Sequence, residues 1–390
     1  MTRLFFFLFI GLSLLGYSQE KYTLSGSIFE AEGQETLIGT NILILDLQTG
    51  TISNEYGFYS ITLNKGTYQV TISTIGYTTL KETITLDRDI SKNFTLTEAL
   101  EVLDEIVIET DIETIDIKTP QMSVNSLTAS TIKQIPVVFG EADVIKAITL
   151  LPGVSSGGEG AAGFNVRGGA VDQNLILLDE ATIFNSSHLF GLFSVFNPDA
   201  IKNLKLYKGG IPAKYGGRVA SVLDIYQKEG NKNKFRASGG VGIVASRLLL
   251  EGPVNEGKGS FLFGGRATYA HLFLPLFDVD NIAYFYDLNT KISYKLNPKN
   301  NIYLSGYFGR DVFNVSDSFE NTYGNTVLNF RWNHLFSDQL FSNLSLIYSD
   351  YYYGLNLNFV GFEWNSGIQN MNIKYDFKQY INDRYKLEYG

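Results

Sequence analysis

YFYDLNTKISYKL, residues 284–296, decides how this chain is to be read. Tyr284, Tyr286, Leu288, Thr290, Ile292, Tyr294 and Leu296 fall on one side of an extended strand. Phe285, Asp287, Asn289, Lys291, Ser293 and Lys295 fall on the other and, after the first, are polar. A period of two is the period of a β-strand, because successive side chains point to opposite faces. The alternation returns as Leu328, Phe330 and Trp332 against Asn329, Arg331 and Asn333. It returns again as Met371, Ile373, Tyr375 and Phe377 against Asn370, Asn372, Lys374 and Asp376. Several runs exceed ten residues, whereas sandwich strands are usually about 5–6. Short turns near 297–301, 336–339 and 381–384 alternate with longer polar connections such as NVSDSFENTYGN, 314–325. Long strands with one apolar and one wet face suit a barrel whose outside meets lipid. Residues 231–390 are therefore expected to form the first strands of an antiparallel transmembrane β-barrel.

Composition agrees with a mainly β chain. The 390 residues include 38 Gly, 28 Phe and 24 Tyr but only 8 Pro. Aromatics suit pleated surfaces and glycines suit tight bends. A net charge of −9 argues against a nucleic-acid partner. With no cysteine there are no disulfides and no thiolate chemistry. Residues 1–18 carry Arg3, an apolar stretch from Leu4 to about Leu15 and a small-residue exit, which is the pattern of a secretory signal cleaved between Ser18 and Gln19. The apolar stretch is shorter than the ~20 residues a spanning helix needs.

Residues 19–97 read as a small β-sandwich. Short alternating runs (TLSGSIF, IGTNILIL, GFYSITL, GTYQVTIS, IGYTTLKETITL) are separated by turn residues. The stretch GSIFEAEGQETLIGTNILILDLQTGTISNEYGFYSITLNKGTYQVTISTIGY, 26–77, resembles the carboxypeptidase-regulatory-like domain, which implies an accessory sandwich without catalytic residues. Residues 98–117 form an acidic linker. Between Lys92 and Lys118 the chain has eight carboxylates and no basic residue, yet Ile106, Ile108 and Ile112 keep an alternation that permits strand pairing.

Residues 118–230 change to a mixed α/β texture. EADVIKAITLL, 141–151, places Val144, Ile145, Ile148 and Leu151 on one helical face before Pro152-Gly153. LLPGVS at 150–155, FNVRGG at 164–169, LILLDE at 175–180 and LKLYKGGIPAKYGGRVASVLDI at 204–225 together resemble the plug domain of TonB-dependent outer-membrane receptors. That resemblance implies a globular plug inside a water-lined barrel. Arg167 and Arg218 are expected to meet wall carboxylates, or Arg167 to form a structural ion pair within the plug, with Gly168-Gly169 and Gly216-Gly217 allowing close approach and Asp179 beginning a turn. It also implies a partner, a TonB-type periplasmic protein. Asp104, Glu105, Ile106, Val107 and Ile108 lie where its docking segment, the TonB box, belongs, to be recognised by strand addition. Asn185, Ser186, Ser187 and His188 form a candidate ligand-facing loop.

The resemblance further implies an outer-membrane location, with lipid around the barrel and the sandwich in the periplasm of a Gram-negative cell of the Bacteroidota kind. A small extracellular nutrient is the expected ligand, and no cofactor or metal is expected. The nutrient is left open among siderophore, vitamin, peptide and glycan; LILLDEATIF stands where surface-lipoprotein-assisted glycan importers carry a PLYVIDG-type signature. An enzyme is disfavoured because His188, His271 and His334 stand far apart in sequence, without HExxH spacing, and no GxSxG elbow appears. An adhesin or a non-transporting receptor fragment is the alternative. About eight or nine strands fit before Gly390, whereas plugged transporters need about 22, so a longer receptor is expected.

Overall fold

The computed structural model describes residues 20–99, 123–135, 141–158, 163–242, 244–269, 271–273, 281–315 and 318–390. The signal, its Ser18–Gln19 junction and the segment Asp104–Ile108 lie outside the described residues.

Two sheets form the N-terminal sandwich. In one, Lys21–Glu30 pairs with Phe58–Asn64 and is flanked by Ile90–Ser91 and Phe94–Leu96. The other runs in the order Thr49–Ile52, Asn41–Ile44, Gly66–Ser73, Leu80–Leu86. Alternation turns Ile84 and Leu86 inward while Lys81, Thr83 and Thr85 face water. The inward set, including Leu24, Ile28, Ile42, Ile44, Tyr59 and Ile72, makes one core. Each buried aliphatic side chain contributes about 2 kcal/mol of transfer free energy.

The middle region is a five-stranded sheet in the order Ala181–Thr182, Asn174–Leu178, Ser221–Gln227, Ile201–Tyr207, Val124–Thr128. Asn174–Leu178 and Ser221–Gln227 run parallel, and the other pairs are antiparallel. Helices Ala129–Gln134 and Val144–Thr149 cover it, with Val144, Ile145, Ala147 and Ile148 buried. The second helix is shorter than its apolar pattern suggests. Asp143 caps it by accepting from the Lys146 amide at 2.9 Å, so Glu141 stays outside the helix.

The last region is one antiparallel sheet of nine strands, from Arg236–Val241 to Lys386–Tyr389, each paired with the next and open at both edges among the described residues. The connection expected over 314–325 is narrower, because Asn314, Val315 and residues 319–325 belong to strands. Strands Asn300–Val315 and Phe319–Ser337 carry pairing up to Val315↔Phe319. Ladders are made by backbone groups, so polar side chains do not end them. The sheet is inside out. On Ile282–Asn297, Leu288 and Ile292 are exposed while Asp287, Asn289, Lys291 and Ser293 are buried. Leu328 and Phe330 likewise face outward, with Asn329, Arg331 and Asn333 buried. The buried polar face wraps the middle region, and the sandwich sits against the end with the tight turns, where Ser25 Oγ donates to Asp338 at 2.9 Å.

Candidate plug–wall interface

Strand Asn174–Leu178 returns through Ala181–Thr182, with Leu178 paired to Ala181, so Asp179-Glu180 is a two-residue hairpin turn. Both residues are left-handed, with φ of 47° and 73°. Such turns favour Asn-Gly, and each non-glycine residue in this region costs about 1–2 kcal/mol. The wall and the neighbouring strand Ser221–Gln227 hold the turn. Asp179 pairs with Lys291 at 3.0 Å and accepts the Gln227 amide at 3.1 Å, and Asn329 donates to its carbonyl. Glu180 pairs with Lys374 at 3.2 Å and accepts from the Ser345 hydroxyl. Burial works to raise the Glu180 pKa, but Lys374 and Arg331 overcome it and hold the carboxyl below its ordinary value. Both acids of the turn are thus directed at wall cations.

A second joint centres on His188. Its Nδ1 lies 2.7 Å from Asp311 Oδ2 and its Nε2 lies 3.2 Å from Asp287 Oδ2. The ring stacks on Phe285 at 4.1 Å, and the Leu189 amide donates to Asp311 Oδ1 at 2.8 Å. A carboxylate facing each ring nitrogen suits the imidazolium, in which both nitrogens donate. Burial opposes that charge, yet Asp311 and Asp287 win and raise the His188 pKa. Arg266 extends the joint: Nε donates to Asp287 at 2.9 Å, Nη1 to Glu141 at 2.8 Å and Nη2 to the Ser194 carbonyl at 2.8 Å. Cation and anion types thus alternate from middle region to wall and back. Asn325 adds neutral contacts, accepting from the Phe184 amide at 3.1 Å and donating to the Asn185 carbonyl at 2.8 Å.

Among the described residues neither arginine pairs with a wall carboxylate. Arg167 is exposed and donates to Ser123 Oγ at 2.8 Å within the middle region, and Arg218 is exposed and donates to the Gly217 carbonyl at 2.8 Å. The first corner itself explains this. Arg167 has φ of 50° and Gly168 of 82°, which turn the guanidinium back along its own domain. A Cβ on Gly169 would stand 2.6 Å from that of Ala220, so the glycine serves close packing inside the domain. Gly217 is also left-handed, at 81°, and an added Cβ at Gly216 or Gly217 would meet nothing within 4 Å.

The loop assigned to ligand is also corrected. Asn185 is partly covered, and Ser186, Ser187 and His188 are buried against the wall. The exposed tip lies just beyond, where Phe190 and Leu192 face out and Leu189 and Phe190 are left-handed at 45° and 56°. Phe190 meets Phe313 edge-on at 5.2 Å and its amide donates to Tyr323 Oη at 3.1 Å. Sequence reasoning passed over Arg266 altogether; its signal is a lone arginine in the strand FLFGGRAT, 261–268. Among the described residues no group of three His, Asp or Glu side chains is placed to hold a metal ion. The interface is built from buried ion pairs and hydrogen bonds between the middle region and the wall.

Residues 24–108 match the CarboxypepD_reg-like domain model and residues 116–222 the TonB-dependent receptor plug domain model. A curated relative, the TonB-dependent receptor SusC of Bacteroides thetaiotaomicron, is 27% identical over 241 residues, covering 57% of this chain and 22% of SusC. Among solved structures, the siderophore receptor PirA of Acinetobacter baumannii superposes with a TM-score of 0.52 at 14% identity, over 66% of this chain and 45% of PirA. A mutant ferric enterobactin receptor PfeA of Pseudomonas aeruginosa, in complex with enterobactin, gives 0.50 at 14% identity, over 66% of this chain and 47% of PfeA. The chain spans less than half the length of each of these relatives.

Proposed function

Given a chain that carries the plug domain of the TonB-dependent receptors behind a carboxypeptidase-regulatory-like domain, we propose that it acts in an outer-membrane receptor that binds an extracellular nutrient and imports it to the periplasm. The observation that carries this reading is the inverted wall. A sheet with Leu288, Ile292, Leu328 and Phe330 outside and Asp287, Lys291 and Arg331 inside is at home with lipid on one side and a polar plug on the other. Such an apolar surface in water would aggregate. Ion pairs such as Asp179–Lys291 and Arg266–Glu141 hold the plug yet break and reform without covalent change. The tight turns and the sandwich lie on the periplasmic side in this reading, and the Phe190 tip faces the nutrient. Asp104–Ile108 receives the TonB-type protein as an added strand.

Binding of a purified TonB-type periplasmic domain to the full chain in detergent tests the energising step. Ile106→Pro removes a backbone donor from the added strand, and the expected result is at least a tenfold loss of affinity. Affinity unchanged by Ile106→Pro removes this segment from the mechanism.

A further inference from the structure

One sandwich turn leaves its own core and touches both plug and wall. Asn54 Oδ1 accepts the amides of Tyr56 at 2.9 Å and Phe58 at 3.0 Å, which fixes the turn from within. Gly57, with φ of 77°, completes it, and a Cβ there would stand 2.7 Å from Thr36 Cβ. Held this way, Glu55 projects between two domains. It pairs with Lys214 of the plug at 2.6 Å and with Lys378 of the wall. Tyr56 also bridges: its hydroxyl donates to Glu180 at 3.2 Å, the acid of the strained plug turn. Its ring stacks on Phe341 of the wall at 5.3 Å and lies under the Arg331 guanidinium at 4.8 Å. Phe58 stacks on the same Phe341 at 5.7 Å and meets Tyr380 edge-on at 5.9 Å. The two lysines outweigh burial and hold the Glu55 carboxyl well below its ordinary pKa, so the bridge is an ionised one.

We propose that the Asn54–Phe58 turn is a latch: the sandwich clamps plug to wall, and the plug leaves the wall only after the sandwich undocks. An accessory sandwich tethered by a linker needs none of these contacts. Both residues at the tip of this turn, Glu55 and Tyr56, instead touch the plug and the wall at once. The latch depends on neither the nutrient nor the energising partner, so its failure leaves the proposed import reading standing.

Hydrogen–deuterium exchange on the full chain in detergent tests it. In Glu55→Gln and in Tyr56→Ala, the plug amides of Tyr215 and Asp179, bonded to the Pro212 and Ile225 carbonyls, are expected to exchange at least tenfold faster. Val70 and Ile72 in the sandwich strand keep their wild-type rates. Lys214→Met approaches the same bridge from the plug side without touching the sandwich fold. It is expected to loosen the same amides and to add less than twofold in the Glu55→Gln background. Plug rates unchanged in Lys214→Met, or effects of Lys214→Met and Glu55→Gln that multiply independently, overturn the latch.

Discussion

The sandwich and the wall are written in the same period and folded in opposite senses. On Leu80–Leu86 the apolar Ile84 and Leu86 are buried and Thr83 and Thr85 are exposed. On Ile282–Asn297 the polar Asp287, Asn289 and Lys291 are buried while Leu288 and Ile292 are exposed. Alternation therefore sets which residues share a face, and the neighbours decide which face is hidden. The sandwich has a second apolar sheet to cover. The wall has a charged plug to cover, and its apolar side is left exposed.

Removing one partner from the buried charges of the wall is the hardest blow to that contrast. Arg266 is enclosed with Asp287, Glu141 and the Ser194 carbonyl, so Arg266→Ala strands Glu141 and leaves Asp287 to His188. The expected loss is about 3–5 kcal/mol in urea unfolding of the protein in lipid vesicles. A loss below about 1 kcal/mol would mean that water reaches this face. A smaller effect comes from the outer face. Leu288→Arg is expected to cost about 2–4 kcal/mol in vesicles, whereas Thr85→Arg on the sandwich surface is expected to stay within about 0.5 kcal/mol. Equal effects at the two positions would erase the distinction between the two surfaces.

The smallest effect is a pH dependence confined to the wall side. His188 has its pKa raised by Asp311 and Asp287 against the opposing effect of burial, with Tyr307 Oη a further 3.2 Å neighbour. Its contribution to plug–wall stability is therefore full below the unfolded value of about 6.5 and is lost as pH rises through the higher folded value. Each unit of separation is worth about 1.4 kcal/mol. His188→Gln should flatten the slope that begins above about pH 6.5, while the sandwich's own unfolding stays level. A slope that survives the substitution assigns it to another group.

Much of the contrast was legible in the residues. The alternation at 284–296, 328–333 and 371–377 gave the wall strands, and the turn-punctuated runs of 19–97 gave the sandwich. Asp179 stands at a turn, where the LILL run ends. The joints themselves were not legible, for a physical reason. Asp179 and Lys291 are 112 positions apart, and His188 and Asp311 are 123 apart, so pairing follows from how strands stagger around the plug. The charge of Arg167 suited a contact at the wall or within the plug equally, and the left-handed backbone beside its bond to Ser123 was not visible in the residues. Most of the run 314–325 looked like a loop because its side chains are polar, whereas the ladder that runs up to Val315↔Phe319 is made by backbone groups. His188 looked like a loop residue open to ligand because the wall that covers it comes from strands a hundred residues later.

The most direct test of the inverted wall uses the absence of cysteine from the chain. Single cysteines placed in turn at positions 286 to 293 and spin-labelled in lipid vesicles report contact with oxygen dissolved in lipid or with a water-soluble relaxant. Positions 286, 288, 290 and 292 are predicted to collide with oxygen, while 287, 289, 291 and 293 are shielded from both by the plug. Strong collision of the even positions with the water-soluble relaxant would contradict the account, because the wall would then be an ordinary sheet in water.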